Sequence, residues 1–421
     1  MSDGPDASGG SLPGRLAATM FLAFAFAYFF SALLRAVTAT LAPVFSDELR
    51  LSAGELGLLA GAYFLGFSAM QLPLGSALDR HGPKRVLLVL LSVAVIGCAA
   101  FAASTSFVHL LLARLLIGLG VSACLMAPLT CYRHHLGQAA QLRTNSWMLM
   151  TGSLGMLSST LPVQWLLPVL GWRGLFAAVA GLLLLAMVLI HALVPADGAR
   201  SPAPAPATSG YRDVFMHPVF VRMAPLAFFC YGGLLALQSL WIGPWLTQVA
   251  QLSAGDAARG LFAVNLSMLL AFLGWGLVMP RLVHAGWTAE RIIGRAWPLG
   301  VLCLGLIIGL GPAAGAWGWA LWCVLTSVVS LSQPAVGQAF PPALAGRALS
   351  AFNLVIFAGV FALQWGIGLL IDGLRLAGWS PVVAFRTTFG LLLLCCLVSF
   401  LWLRWYGASR GDTTRATAAS S

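Results

Sequence analysis

Apolar runs of bilayer-crossing length follow one another from end to end of this chain, separated only by short polar breaks. They fall at about residues 16–45, 52–78, 86–104, 108–134, 145–168 and 172–194, then at 220–249, 258–282, 292–311, 315–341, 348–372 and 385–406. A helix needs about 20 such residues to cross hydrocarbon, where every backbone amide must find its partner within the segment. Twelve transmembrane helices in two sets of six are therefore predicted. Only 8% of the 421 residues are charged and 60% are hydrophobic, with a mean hydropathy of +0.91. Soluble domains carry about 25% charged residues, which excludes a water-soluble fold.

The net charge of +11 does not indicate nucleic acid binding, because the basic residues follow the membrane. Arg80, Lys84, Arg85, Arg133, Arg143, Arg200, Arg212, Arg222, Arg281, Arg291, Arg295, Arg347, Arg404, Arg410 and Arg415 share one predicted side, against Arg50, Arg173, Arg259, Arg375 and Arg386 on the other. The positive-inside rule then places both termini in the cytoplasm of a multi-pass protein of the cell inner membrane or plasma membrane. The first run is too long for a signal-peptide core and is read as a true span. The eight cysteines fall inside spans without C-x-x-C spacing, so no disulfide is expected.

The expected organisation is a cytoplasmic tail at 1–15, a first six-helix bundle at 16–194, a cytoplasmic linker at 195–219, a second bundle at 220–406 and a cytoplasmic tail at 407–421. Within the linker, SPAPAPATSG at 201–210 has no apolar periodicity and reads as flexible. The halves repeat each other at a constant offset: Pro43 with Pro244, Ser52 and Glu55 with Ser253 and Asp256, Gly75 with Gly276, and Arg80 with Arg281. Duplicated, pseudo-symmetric bundles follow. The S-x-x-E/D pairs read as helix starts for spans 2 and 8, and Gly171-Trp172-Arg173 and Arg386 as interfacial starts of spans 6 and 12.

Between spans 2 and 3 the chain reads QLPLGSALDRHGPKR, with Gly75, Asp79, Arg80, Gly82, Lys84 and Arg85 at the spacing G-x-x-x-D-R-x-G-x-K-R. This resembles the cytoplasmic loop signature of the major facilitator superfamily. The resemblance implies the major facilitator fold, transport by alternating access, and a latch at these six residues that holds the bundles together in the outward-facing state. Gly75 is expected to admit a neighbouring helix, Asp79 to sit at a crowded helix end, and Lys84 and Arg85 to face anionic headgroups. The second copy has Pro280 in place of the aspartate, so the latch is expected to be asymmetric.

Only Arg35 and Arg114 place a formal charge well within predicted spans. An arginine at that depth is costly unless it faces a partner, a cavity or a substrate. Tyr28, Ser31, Arg35 and Thr38 share one face of span 1, a polar stripe in an apolar helix. The residues from Arg35 to Gly75 are similar to the anion:cation symporter branch of the superfamily, with the arginine eight positions before Pro43. That resemblance implies an arginine facing an organic carboxylate or phosphate, which a guanidinium grips by two parallel hydrogen bonds. Leu34 and Val121 stand where that branch usually has acids, so proton coupling, sodium coupling, exchange and uniport all remain open. Arg114, Gly118 and Gly120 resemble the span 4 motif of many members; both a proton-transfer role and a buried anchor are compatible with Arg114. On span 7, Tyr231, Gln238, Trp241 and Trp245 are expected to share a face and form a second wall.

The substrate-binding residues expected are therefore Arg35, Tyr28, Ser31, Thr38, Arg114, Tyr231, Gln238 and Trp241. The partners expected are a small-molecule substrate and membrane lipids, with a proton or sodium ion as possible coupling ion, in a monomer. No nucleic acid, cofactor, metal site or catalytic residue is expected: Met148, Met150 and Met156 have no shared ligand spacing, and no catalytic constellation is visible. Export of amphipathic compounds is the alternative, although span 5 lacks the G-P-x-x-G-G signature of drug:proton antiporters. A membrane receptor or assembly factor is the third reading.

Overall fold

The structure, a computed structural model, describes residues 14–136, 138–195 and 211–418. These residues form helices throughout, with no strand among them. Nine stretches are long and apolar enough to cross a bilayer, or ten when the bent span 2 is taken as one. Two of these stretches each contain a break, which makes twelve spans.

Span 1 is Gly14–Glu48, span 2 is Ala53–Ala69 continued by Gln71–His81, span 3 is Pro83–Ala103 and span 4 is Phe107–Arg133. Span 5 starts with Gln138–Ser158 and resumes in the helix Leu161–Leu193, whose second part is span 6. The second half comprises span 7 at Pro218–Val249, span 8 at Ala254–His284, span 9 at Ala289–Leu310, span 10 at 315–338, span 11 at Pro342–Leu376 and span 12 at Pro381–Ala418. The Pro, Ala and Ser stretch at 201–210 and most of the first tail lie outside the described residues, while Tyr211–Phe215 is a short helix within the expected linker. Span 12 continues past residue 406, into the expected tail.

The breaks have local causes. Gly171 adopts φ 62°, a left-handed value that suits glycine, and separates spans 5 and 6. Gly82, at φ 80°, ends span 2 and is followed by Pro83 in the first turn of span 3, where the missing N–H costs nothing. Span 2 bends by 45° at Met70, because Pro73 has no amide to offer the Ala69 carbonyl. Ser52 and Glu55 form the full capping box, and Ser253 accepts the Asp256 amide at the matching place in the repeat. Arg173 pairs with Glu48 at 2.6 Å beside a Trp172 bond to the same carboxylate, and Arg386 donates to the Gly309 carbonyl at 3.2 Å.

Spans 1–6 and 7–12 pack into two bundles that meet along span 2 with span 11, span 1 with span 7, and span 5 with span 8. One end carries the 71–85 loop, the start of span 1 and the end of span 12; it is the loop end, and the opposite end is the far end. The closest approaches between the bundles lie toward the far end. A Cβ on Gly57 would collide with the Gln364 carbonyl, one on Gly368 with the Ala53 carbonyl, and one on Gly243 would lie 2.5 Å from the Ala39 carbonyl oxygen. Small residues are what let helices touch where lipid supplies no hydrophobic drive. Gly75 departs from expectation: a Cβ there would meet nothing within 4 Å.

Candidate substrate-binding site

Arg35 stands halfway along span 1, half-buried, between the two bundles. Its guanidinium carbon lies 5.4 Å from the ring centre of Phe67 on span 2 and 5.8 Å from that of Phe357 on span 11. Such contacts stabilise a cation through the ring quadrupole without neutralising it. Tyr28 and Tyr231 lie within electrostatic reach of it, and the Tyr63 side chain is close enough to hydrogen-bond it. The ion pairs among the described residues are Arg173–Glu48, Arg222–Glu290 and Arg259–Asp256, and none involves Arg35. Its Nε is buried without a hydrogen-bond partner. Nearby on span 1 the Ser31 hydroxyl is also buried and unpartnered, and Tyr28 packs on Gly152 of span 5.

Arg114 is held differently, although its Nε too is buried without a hydrogen-bond partner. It is fully buried and donates to the Leu34 carbonyl at 3.1 Å and to the Thr38 hydroxyl at 2.6 Å, with its guanidinium 5.3 Å from the Tyr63 ring centre. Tyr63 in turn donates to the Ser31 carbonyl at 3.2 Å. Arg114 therefore ties span 4 to span 1 and engages Thr38, while Arg35 is left without a protein anion. The polar stripe of span 1 is thus divided between an anchor and an open charge.

The expected single face on span 7 is not observed. The helix runs through π-helical turns at Leu226–Tyr231, Leu237–Trp241 and Trp245–Val249, which shift the register that a 3.6-residue period assumes. Tyr231 stays beside Arg35. Gln238 instead donates to Asn265 of span 8 at 3.1 Å, and Trp241 donates to the Gln364 carbonyl of span 11 at 3.1 Å. Trp245 stacks on Phe389 within a cluster that includes Trp319 and Phe385. Three residues around Arg35 were not anticipated from sequence: Tyr63, Phe67 and Phe357. They lie on spans 2 and 11, outside spans 1, 4 and 7, on which the expected substrate-binding residues lie; the run AGAYFLGF, with bulky rings set among small residues, is the signal that marks the first two.

At the loop, Asp79 and Arg80 are exposed, and Asp79 joins none of the ion pairs among the described residues. The expected crowding at Asp79 is absent, since its side chain is exposed. Lys84 does more than face solvent or lipid, since it donates to the carbonyls of His191 at 2.8 Å and Val194 at 2.6 Å, capping the end of span 6. A cation suits the negative end of a helix. At the far end a different aspartate is engaged: Asp372 of span 11 accepts the amides of Ala53 and Gly54, at the start of span 2. Among the described residues no group of three His, Cys, Asp or Glu side chains could hold a metal ion.

Comparison with known proteins accords with this architecture. The chain is 26% identical over 385 residues to the probable sulfoacetate transporter SauU of Cupriavidus necator, covering 85% of this chain and 84% of that one. It is 26% identical over 305 residues to the multidrug resistance protein MdtM of Salmonella typhimurium, covering 70% of this chain and 69% of the relative. A solved bacterial homologue of the human lysosomal transporter Spinster, inward-facing and unoccupied, superposes with a TM-score of 0.73 at 16% identity, over 95% of this chain and 98% of that one. The sequence pattern of the Major Facilitator Superfamily matches residues 24–364. Twelve spans in two related bundles and that match together make the chain a member of the Major Facilitator Superfamily of transporters, and not an enzyme or a receptor.

Proposed function

We propose that this transporter moves a small organic anion by alternating access, with Arg35 as the group that holds the anion. The observation that carries the reading is a guanidinium between the bundles, flanked by aromatic rings, with no ion pair to a protein carboxylate among the described residues. Insertion scales put an arginine at mid-membrane at about 2.5–3.5 kcal/mol, and a visiting anion offsets that cost when it binds. Tyr28, Tyr231 and Tyr63 offer hydroxyls around the charge. Arg114 and Thr38 hold the first bundle in register, and Gln238 and Trp241 brace span 7 against spans 8 and 11.

In this reading the loop end faces the cytoplasm of a bacterial inner membrane, as the positive-inside rule requires, and the monomer is the working unit. The far end is held shut by the contacts of spans 2 and 11. Asp79 and its neighbours engage when the loop end closes, as Asp372 and Gly54 part. The similarity to a probable sulfoacetate transporter supports a small anionic cargo.

The test is uptake of sulfoacetate and other small organic anions into proteoliposomes containing the full chain, with and without a pH or sodium gradient. Saturable anion uptake that Arg35→Gln removes is expected. Uptake of no anion, with flux of neutral or cationic amphipathic compounds insensitive to that substitution, would instead establish the second reading, export of amphipathic compounds. The aromatic surroundings of Arg35 and the similarity to a multidrug resistance protein are what favour that alternative.

A further inference from the structure

Beyond Ser31 and the tyrosine hydroxyls beside Arg35, few polar side chains can greet the body of a substrate, because the amide NH2 groups of the second bundle already bond to protein. Gln238 donates to Asn265, whose own amide donates to the Leu261 carbonyl at 2.9 Å. Gln364 donates to the Ser239 hydroxyl at 2.9 Å, while its own Oε1 is buried without a partner, and Gln333 donates to Asn353 at 2.5 Å. Gln364 Oε1 can accept one hydroxyl; any further substrate hydroxyl that meets these amides must either break a pair or lose its water bonds uncompensated, and a buried polar group left unpaired is penalised.

The surroundings of the guanidinium are rings instead. Phe67 and Phe357 lie over it, and their own centroids are 4.6 Å apart in an edge-on contact. Tyr63 stacks on Phe67 at 6.2 Å and Phe64 on Phe357 at 6.2 Å, so the wall is continuous from span 2 of one bundle to span 11 of the other. With rings beside the guanidinium, an anion is left its edge, and the buried Nε is a donor that no protein acceptor satisfies. The rest of the molecule then extends along aromatic carbon.

We infer that the cargo is a monoanion with a planar or otherwise apolar body and few hydroxyls, such as an aromatic carboxylate, in preference to a polyhydroxylated sugar acid. The inference rests on the organic-anion reading above and narrows it. Phe67 and Phe357 select for the apolar body, and the self-paired amides select against hydroxyls.

The experiment measures binding of phenylacetate, glucuronate and the neutral phenylacetamide to the purified full-length protein and to Arg35→Gln and Phe357→Ala. Phenylacetate is expected to bind at least about tenfold more tightly than glucuronate, the kind of ratio that unmatched hydroxyls produce. It should also bind more tightly than phenylacetamide, with Arg35→Gln removing that advantage and Phe357→Ala narrowing the preference over glucuronate. Tighter binding of glucuronate, still dependent on Arg35, overturns the inference while leaving the organic-anion reading standing. Equal binding of phenylacetate and phenylacetamide, unaffected by Arg35→Gln, overturns that reading and the inference with it, as does binding of neither acid.

Discussion

Asp372 lies 2.7 Å from the amide of Gly54, joining the end of span 11 in one bundle to the start of span 2 in the other. The second carboxylate oxygen accepts the Ala53 amide at 3.0 Å. A carboxylate at a helix N-terminus satisfies orphan donors and meets the positive end of the helix dipole. The two helices run in opposite directions, so Asp79, at the other end of span 2, stands toward the start of span 11. Asp372 is engaged in this conformation, whereas Asp79 is exposed and joins none of the ion pairs among the described residues.

Replacing Asp372 with Asn should weaken the far-end closure by about 1 kcal/mol, the usual scale for a charge at a helix terminus. That is a shift of about fivefold in the balance between the two facing states. Spin-label distances between positions 51 and 376, at the far ends of the two helices, should gain a longer component; an unchanged distribution would contradict the assignment.

Gly57→Ala should be far more damaging than Gly75→Ala. The first places a methyl group against the Gln364 carbonyl, whereas the second meets nothing within 4 Å in this conformation. Close helix approach in a membrane depends on the absent side chain. Transport by the first variant should fall at least about tenfold with the far end unable to shut, while the second should leave thermal stability in the conformation described unchanged or slightly raised, since alanine favours helix over glycine by about 1 kcal/mol. Equal stability losses in the two would argue against the packing described.

Arg114→Lys should destabilise the first bundle. Two hydrogen bonds from one charged, buried fork are at stake, to Leu34 and Thr38, and bonds of this kind contribute about 1.5–3 kcal/mol each. A lysine ammonium cannot reproduce both directions. A lower melting temperature in detergent is expected, with substrate affinity in the surviving folded fraction changed less than by any Arg35 substitution.

Lys84→Ala should loosen the end of span 6. Two carbonyls, those of His191 and Val194, lose a cationic donor, a change of about 0.3–1 kcal/mol at a helix C-terminus. Faster amide hydrogen exchange over residues 190–194 is the expected readout, with exchange at the start of span 2 unaltered.

Much of this architecture is legible in the sequence. Run length and spacing gave the spans, the constant offset gave the two halves, and Ser52 with Glu55 and Ser253 with Asp256 marked helix starts that the structure caps as expected. Arg35 and Arg114 could be singled out because charge in hydrocarbon is expensive wherever it occurs. Their division into an open charge and a tethered one could not be read, since it depends on which of them meets Thr38 across two helices. Span 7 was misjudged because periodicity assumes a uniform helix, and its π-helical turns send Gln238 and Trp241 to different neighbours. Phe357 was invisible for another reason: an aromatic residue in a membrane helix carries no mark of facing a cation rather than lipid.

The most direct test of the central claim is initial-rate anion uptake by Arg35→Lys in proteoliposomes, beside wild type and with folded protein quantified in each preparation. Lysine keeps the charge but not the planar fork. Loss of at least about 99% of uptake, the order expected when a bidentate charged contact of about 3 kcal/mol is removed, is the predicted result. Uptake within about twofold of wild type would contradict the assignment of Arg35 as the anion anchor.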